Sequence, residues 1–406
     1  MINKVKYIAS ALIENATTAI FIKTHPRDKR IVIFGAWMGQ RFADNSRFLF
    51  QYLSENKNTL NLSHVVWITR SRKVYQEAKY LNYEVIMAGT PNAKKWQLKG
   101  GIHIICNNAG YGTYPPDMDV KYSWGAKKIQ LWHGVGFKAV GSSSNKAKGH
   151  EWYRRIVNKN RKLKCLISAG GWSECNILST STFDQNVMIK SQNSYEDRVF
   201  ISSYPRYCDC LALTAEEQNV IQEINQYQYV LIYLPTFRDN NNSYIHPLKN
   251  KTTQKFLLDN NILWIEKQHS VSNYNDQEFA HIPNVKLLDS EFDVNVLYNH
   301  VNIILSDYSS TVCDGIYKKI PTIMYIPDLL DFQNGSGGLL LNIGDYFKPI
   351  IAMNIDELLG IINECKKGNY WSEERIELFS KARELFYNNI NASYESIWRD
   401  INNLRD

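Results

Sequence analysis

Along most of the chain, short apolar runs alternate with longer stretches whose apolar residues recur at helical spacing. The first pattern fits buried strands and the second fits amphipathic helices. In the first half, residues 30–36, 64–69, 84–87, 103–106, 128–132 and 165–169 read as strands, with helices over 46–53, 72–81 and 92–98 among them. A polar helix over 214–226 follows, and the rhythm then restarts. Residues 229–234, 262–266, 285–288, 301–305 and 322–326 read as strands, and 356–365 and 373–387 as closing helices. Such alternation predicts parallel sheets covered by helices. The expected fold is therefore α/β, with two Rossmann-like domains facing a cleft and helices at the C-terminal end. Ligands in such folds sit at the carboxyl ends of strands.

A chain of 406 residues suits two domains of roughly 150–200 residues each. The division expected is a helix at 1–24, a first α/β unit at 25–210, a second at 211–370 and closing helices at 371–406. Within the first helix, Ile2, Val5, Ile8, Ala9, Leu12, Ile13 and Ala16 fall near one face, which suits packing on the body or contact with a membrane. The N-terminal stretch mixes Lys4, Lys6 and Glu14 into its apolar positions and has no clear cleavage region of a secretory signal. No run approaches the roughly 20 apolar residues of a spanning helix. The seven cysteines are scattered without zinc-ligand spacing and read as reduced thiols, which points to the cytoplasm.

Charge adds one local feature. Residues 142–164 hold Lys146, Lys148, Arg154, Arg155, Lys159, Arg161, Lys162 and Lys164 against the single acid Glu151, a surplus equal to the whole chain's net +7. Trp152 and Tyr153 are interleaved. A basic stretch with aromatics suits a surface of anionic lipids or a polyanionic acceptor. No nucleic-acid-binding motif accompanies it, so no nucleic-acid partner is expected. A solvated helix with a charged face fits the same residues.

Four sites at strand ends carry candidate chemistry. The run 301–305 leads into Ser306-Asp307-Tyr308-Ser309-Ser310-Thr311 and an amphipathic helix. Ser309 or Ser310 is placed to cap that helix, with Thr311 and Asp314 spaced like a capping box. The turn offers hydroxyls, backbone N–H groups and the positive helix end, the parts of a phosphate site, although an ordinary strand-to-helix turn looks the same. His133, in Leu131-Trp132-His133-Gly134, is placed for general-base work near neutral pH. Arg238, in Pro235-Thr236-Phe237-Arg238-Asp239, has the fork for a phosphate. His269, in Glu266-Lys267-Gln268-His269, is placed to donate to a phosphate oxygen. Each of the last three also has a bland reading: a lone histidine at 133 is more often structural, Arg238 commonly pairs with Asp239, and His269 fits an ordinary surface histidine. Asp117-Met118-Asp119 has the spacing of a metal-binding DxD but reads as chance, and there is no metal-ligand cluster.

Taken together, these residues resemble the CDP-glycerol glycerophosphotransferases, which build teichoic acids and related polyol-phosphate capsule polymers. The resemblance runs through Phe34-Gly35-Ala36-Trp37, Ala43-Asp44-Asn45-Ser46-Arg47, Trp132-His133-Gly134 with Lys138, Tyr153-Arg154-Arg155, Tyr204-Pro205-Arg206, the 235–239 motif, Asp307-Tyr308-Ser309-Ser310 with Asp314, and Pro321 through Tyr325 to Asp328. It implies a GT-B-like fold with CDP held mainly by the second unit. It implies His133 as the base that activates an acceptor hydroxyl, and Arg238, His269, Ser309 and Ser310 on the donor pyrophosphate. Thr236 and Asp307 belong to the same donor-binding motifs, and His269 is a second catalytic candidate. The hydroxyl attacks the β-phosphorus of CDP-glycerol and CMP leaves, with no metal or cofactor expected. The resemblance also implies a lipid-linked or polymer acceptor and a peripheral seat on the inner face of the cell membrane. Trp152, Tyr153, Arg154, Arg155, Lys159, Arg161 and Lys162 would face acceptor and membrane.

The sequence departs from the family pattern at Val135-Gly136, at Tyr207-Cys208 where Asn-Asp is usual, at Cys313, and at Gly335-Ser336-Gly337-Gly338 where an Arg-Gly is expected. The Gly-rich run reads as a loop able to close on the donor. In length the chain is nearer to the enzymes that add a first unit than to polymerases. CDP-ribitol as donor, a GT-B glycosyltransferase using a nucleotide-sugar, and a silent membrane-docked scaffold remain as other readings.

Overall fold

A computed structural model describes residues 2–110, 114–143, 160–236, 244–267, 278–335 and 338–404. The first half builds a seven-stranded parallel sheet from β1 (Asp28–Phe34), β2 (His64–Thr69), β3 (Glu84–Met87), β4 (Gly100–Ile105), β5 (Lys127–Gln130), β6 (Asn176–Ser179) and β7 (Val199–Ile201), ordered β3-β2-β1-β4-β5-β6-β7. The second half builds a six-stranded parallel sheet from β8 (Tyr229–Leu234), β9 (Ile262–Glu266), β10 (Val285–Leu287), β11 (Ile303–Ser306), β12 (Thr322–Tyr325) and β13 (Ile351–Ala352), ordered β10-β9-β8-β11-β12-β13. Helices cover both sheets, so the central strands are buried on both faces and read as continuous apolar runs. This is the two-sheet α/β arrangement that the alternation predicts.

One expected strand is not a strand. Residues 165–169 run from the end of the helix Arg161–Leu166, through the turn at Ile167 and Ser168, to the start of the 3₁₀ segment Ala169–Glu174. The Asn160 side chain caps that helix by accepting from the Leu163 N–H at 3.0 Å, and Gly170 and Gly171, both at positive φ, turn the chain toward β6. A five-residue apolar run does not distinguish strand from helix by itself. β6 and the short edge strands β7 and β13 escaped the pattern because none of them carries an apolar run long enough to read.

The helix Ile2–Thr24 does pack on the body, but through another face than the apolar one. Ala11, Asn15 and Thr18 are buried, while Leu12, Ile13, Ile20 and Phe21 are exposed. The Asn15 amide donates to the carbonyls of Leu166 and Ser168, each at 2.9 Å, and accepts from the Gly170 N–H at 2.9 Å. Satisfying those backbone groups at a close approach requires small and polar residues there, which turns the larger apolar residues outward.

The two sheets are joined from both ends of the second half. The buried Arg47, on helix Asp44–Glu55, forms a two-pronged ion pair with Glu217 on Ala215–Ile224. The helix Glu373–Tyr387 spans the units, and Tyr394–Asn403 returns to the first sheet. There Tyr394 stacks on Tyr52 at 4.7 Å, Asp400 accepts from Ser202 at 2.7 Å, and the Leu404 carbonyl accepts from Lys127 at 2.6 Å.

Candidate active site

Strand order reverses between β1 and β4 in one sheet and between β8 and β11 in the other, and loops diverging at such reversals leave a crevice. A cleft of about 820 Å³ lies there, lined by His133, Gly134 and Arg206 from one side and Thr236, Ser309 and Ser310 from the other.

His133 is set by the end of β5. The Leu131 N–H extends the ladder to the Ile105 carbonyl at 2.8 Å, then Trp132 enters the left-handed region at φ 59° and swings the histidine into the cleft. The Trp132 carbonyl is held by the Asn45 amide at 2.9 Å. His133 Nδ1 lies 3.2 Å from the Cys106 carbonyl, which only accepts. Nδ1 therefore carries the proton, and in the neutral ring Nε2 keeps the lone pair that a base requires. The rings of Trp132 and Trp37 flank it at 4.2 and 5.6 Å. Gly134, at φ 149°, is in contact with the serine turn. A Cβ there would overlap the Ser310 hydroxyl and come within 2.8 Å of Ser310 Cβ.

The serine turn differs from the expected capping box. Ser310 is the cap residue of Thr311–Lys318 but has helical φ −58° and ψ −16°, and its side chain makes no capping bond. The capping bond comes from Ser309, whose hydroxyl accepts from the Thr311 N–H at 3.4 Å and lies 3.0 Å from Thr311 Oγ1. Asp314 does not reach back to the cap, because Arg206 and Tyr207 hold it. Asp307 is buried, and its carboxylate accepts from the Thr236 N–H at 2.9 Å and the Thr236 hydroxyl at 2.6 Å. Of this motif pair, Thr236 lines the cleft and Asp307 braces it from behind.

Arg206 ties the two sides. One terminal nitrogen donates to Asp44 at 3.0 Å and to the His133 carbonyl at 2.9 Å, and the other donates to Asp314 at 2.6 Å. Tyr207 also donates to Asp314 at 2.6 Å and stacks on Tyr317 at 3.8 Å, so the residue replacing the usual asparagine has a packing role of its own. Burial pushes the Asp44 carboxyl up to about 6, against the pull of Arg206. Val135 and Cys313, two other departures, are fully buried. Past the Gly-rich run, the Ala139 N–H donates to the Gly338 carbonyl at 3.1 Å and the Leu340 N–H to the Phe137 carbonyl at 2.7 Å, a main-chain strap across the cleft edge.

Arg238 and His269 lie outside the described residues, as do Trp152, Tyr153, Arg154, Arg155 and Lys159 of the basic stretch. Arg161 is not turned toward an acidic surface: Glu174 accepts from it at 2.7 Å and Asp197 at 2.9 Å. Lys162 is exposed. Asp117 accepts from the N–H groups of Met38, Cys106, Asn107 and Asn108, and Asp119 pairs with Arg70 at 2.9 Å, so the DxD spacing serves loop structure. The bridging position of Arg206 was missed, as was the place of Arg41 and Lys267 in the cleft lining. Arg206 stood in a quoted motif and Lys267 beside His269, but neither had a visible partner in sequence.

The profile of the family described as CDP-glycerol:poly(glycerophosphate) glycerophosphotransferase matches residues 17–399. The chain is 23% identical over 376 residues to a teichoic acid poly(glycerol phosphate) polymerase of Bacillus spizizenii, covering 87% of this chain and 88% of that protein. It is 24% identical over 411 residues to a teichoic acid glycerol-phosphate transferase of Staphylococcus aureus, covering 94% of each. A protein named as a polymerase is thus of comparable length, and length does not separate first-unit enzymes from polymerases. The wall teichoic acid polymerase TagF, solved as a histidine-to-alanine variant, superposes with a TM-score of 0.68 at 18% identity over 99% of this chain and 96% of that one, which shows the GT-B-like fold. Since the family profile spans nearly the whole sequence, this chain belongs to the CDP-glycerol:poly(glycerophosphate) glycerophosphotransferase family.

Proposed function

We propose that this chain transfers glycerol phosphate from CDP-glycerol to a hydroxyl of a lipid-linked or polymer acceptor, in teichoic acid or related capsule synthesis. The observation that carries this is the contact between the His133-Gly134 loop and Ser310 at the start of Thr311–Lys318. A base and an anion-stabilising helix end thereby share one wall of the cleft. The acceptor oxygen attacks the phosphorus that bears glycerol, and its proton passes to His133 Nε2. The bond from that phosphorus to the CMP oxygen breaks, and the electron pair leaves with CMP. Ser309, Ser310 and the helix end face the charge that builds on the leaving phosphate. Arg238 and His269 are assigned to the same pyrophosphate by family resemblance, and Thr236, braced by Asp307, shapes the loop. The assignment uses no metal or cofactor.

The proposed location is the inner face of the cell membrane. What supports it is the outward apolar row of Ile2–Thr24 with exposed Leu163 and Leu166 nearby, together with the basic composition of residues 142–164 in the sequence. No helix of the described residues is long and apolar enough to cross a membrane.

The test is CMP release by the purified protein with a lipid-linked acceptor, comparing CDP-glycerol, CDP-ribitol and nucleotide-sugars. Release from CDP-glycerol, abolished in His133→Ala while the fold and donor binding persist, is the expected result. Turnover of only CDP-ribitol or a nucleotide-sugar overturns the donor assignment, and undiminished turnover in His133→Ala overturns the base.

A further inference from the structure

Three main-chain carbonyls fix the place of His133, and each is held by a side chain. Cys106 accepts from Nδ1 of the ring at 3.2 Å, and Arg206 donates to the carbonyl of His133 itself at 2.9 Å. The third carbonyl belongs to Trp132, and Asn45 holds it. The Asn45 side chain is fully buried, and its two ends have separate partners. Nδ2 donates to the Trp132 carbonyl at 2.9 Å, while Oδ1 accepts from the Arg206 backbone N–H at 3.2 Å. A flipped amide would set oxygen against carbonyl and N–H against N–H, so these partners fix its orientation.

Trp132 is where this grip matters. It lies at φ 59°, where a bulky L residue is strained, and such a conformation persists only when the surroundings over-determine it. Neither flank imposes it: β5 ends at Gln130, and Gly134 beyond the histidine is at φ 149°. Asn45 is able to impose it because its own backbone is pinned. The helix Asp44–Glu55 has Ala43 at its cap position, which offers no side-chain bond. The Asp44 N–H donates instead to Asp293, which follows β10, at 3.0 Å. The Asp44 carboxylate accepts from the Asn45 N–H at 2.8 Å and from Arg206 at 3.0 Å.

We propose that Asn45 is a positioning residue for His133. Its amide holds Trp132 in the left-handed conformation that aims the ring into the cleft and keeps Nδ1 on the Cys106 carbonyl. Without that bond Trp132 relaxes toward negative φ, and the ring leaves the Cys106 carbonyl. The Nδ1–H form, which leaves Nε2 as the base, is then no longer selected. Asn45 acts on the reaction only through Trp132. The catalytic part of this rests on the transfer reading above.

Two measurements test it. Nitrogen-15 NMR of histidine-labelled protein at pH 8, with the His133 signals identified by their loss in His133→Ala, shows one neutral form protonated at Nδ1 in the wild type. In Asn45→Ala it shows a mixture of the two neutral forms. In CMP release, Asn45→Ala lowers kcat about a hundredfold and leaves KM for CDP-glycerol within about twofold. Asn45→Asp keeps the size and the acceptor facing Arg206 but, ionised, has no donor for Trp132. It gives the same pattern, and it decides the matter if the alanine variant does not fold. A single Nδ1–H form that persists in the folded variants overturns the proposal. So does a kcat within about threefold of the wild type, or a rise in the CDP-glycerol KM as large as the fall in kcat. Absence of CMP release by the wild type sinks the transfer reading, while the NMR result still decides the positioning.

Discussion

Arg206 and Asp314 stand 108 residues apart, and the guanidinium of one donates to the carboxylate of the other at 2.6 Å. Asp314 sits on the helix that opens with the serine turn, and Arg206 also holds the His133 carbonyl at 2.9 Å. One buried side chain thus sets the spacing between the proposed base and the proposed phosphate site.

Replacing Arg206 by alanine leaves Asp44 and Asp314 buried without their cation. A loss of about 3–5 kcal/mol is expected from breaking such a pair. Denaturant titration measures it, and Arg206→Lys, which keeps the charge without the fork, falls between the two.

Gly134→Ala places a methyl against Ser310 in a backbone conformation that L residues rarely adopt. Since the strain falls where base and phosphate site meet, kcat falls about a hundredfold. CMP-release kinetics beside thermal melts check that the loss exceeds any loss of folded protein.

Burial pushes the Asp184 carboxyl up to about 7, and its Oδ1 has no hydrogen-bond partner among the described residues. The folded state holds this proton more tightly than the unfolded chain, where a carboxyl titrates near 4. Stability from this group is therefore greatest at acid pH and is lost as pH rises through about 4 to 7, by up to about 1.4 kcal/mol per pH unit. Asp184→Asn should melt close to the wild type at pH 5 and above it at pH 8. An equal offset at both values would contradict the assignment.

Ile13 and Ile20 are 66% and 68% exposed, an orientation with no use inside the fold. Ile13→Glu with Ile20→Glu should leave the melting temperature nearly unchanged and weaken co-sedimentation with anionic vesicles. Arg161→Ala should do the reverse, because its guanidinium is engaged by Glu174 and Asp197.

The central strands were legible because β8, β9, β11 and β12 are buried on both faces, so each is a bare apolar run between turns. His133 and the serine turn were legible because chemistry-bearing residues followed such runs directly. Asn15 was not: as a polar residue in an apolar helix it looks like solvent-facing sequence, yet it anchors the helix through carbonyls more than 150 positions away. Arg206 shares that difficulty. What matters for each is a partner, and only the folded chain decides that.

The return of Tyr394–Asn403 to the first sheet has a consequence for biogenesis. Lys127 of β5 meets the Leu404 carbonyl 277 residues later. As the chain emerges from the ribosome, the first unit therefore waits with the surface around Tyr52 uncovered until residues 394–404 are made. Such long-range closure is slow and leaves apolar surface open meanwhile. Synthesis that stalls within the second unit should leave the first one aggregation-prone, even though every strand of its sheet has been made.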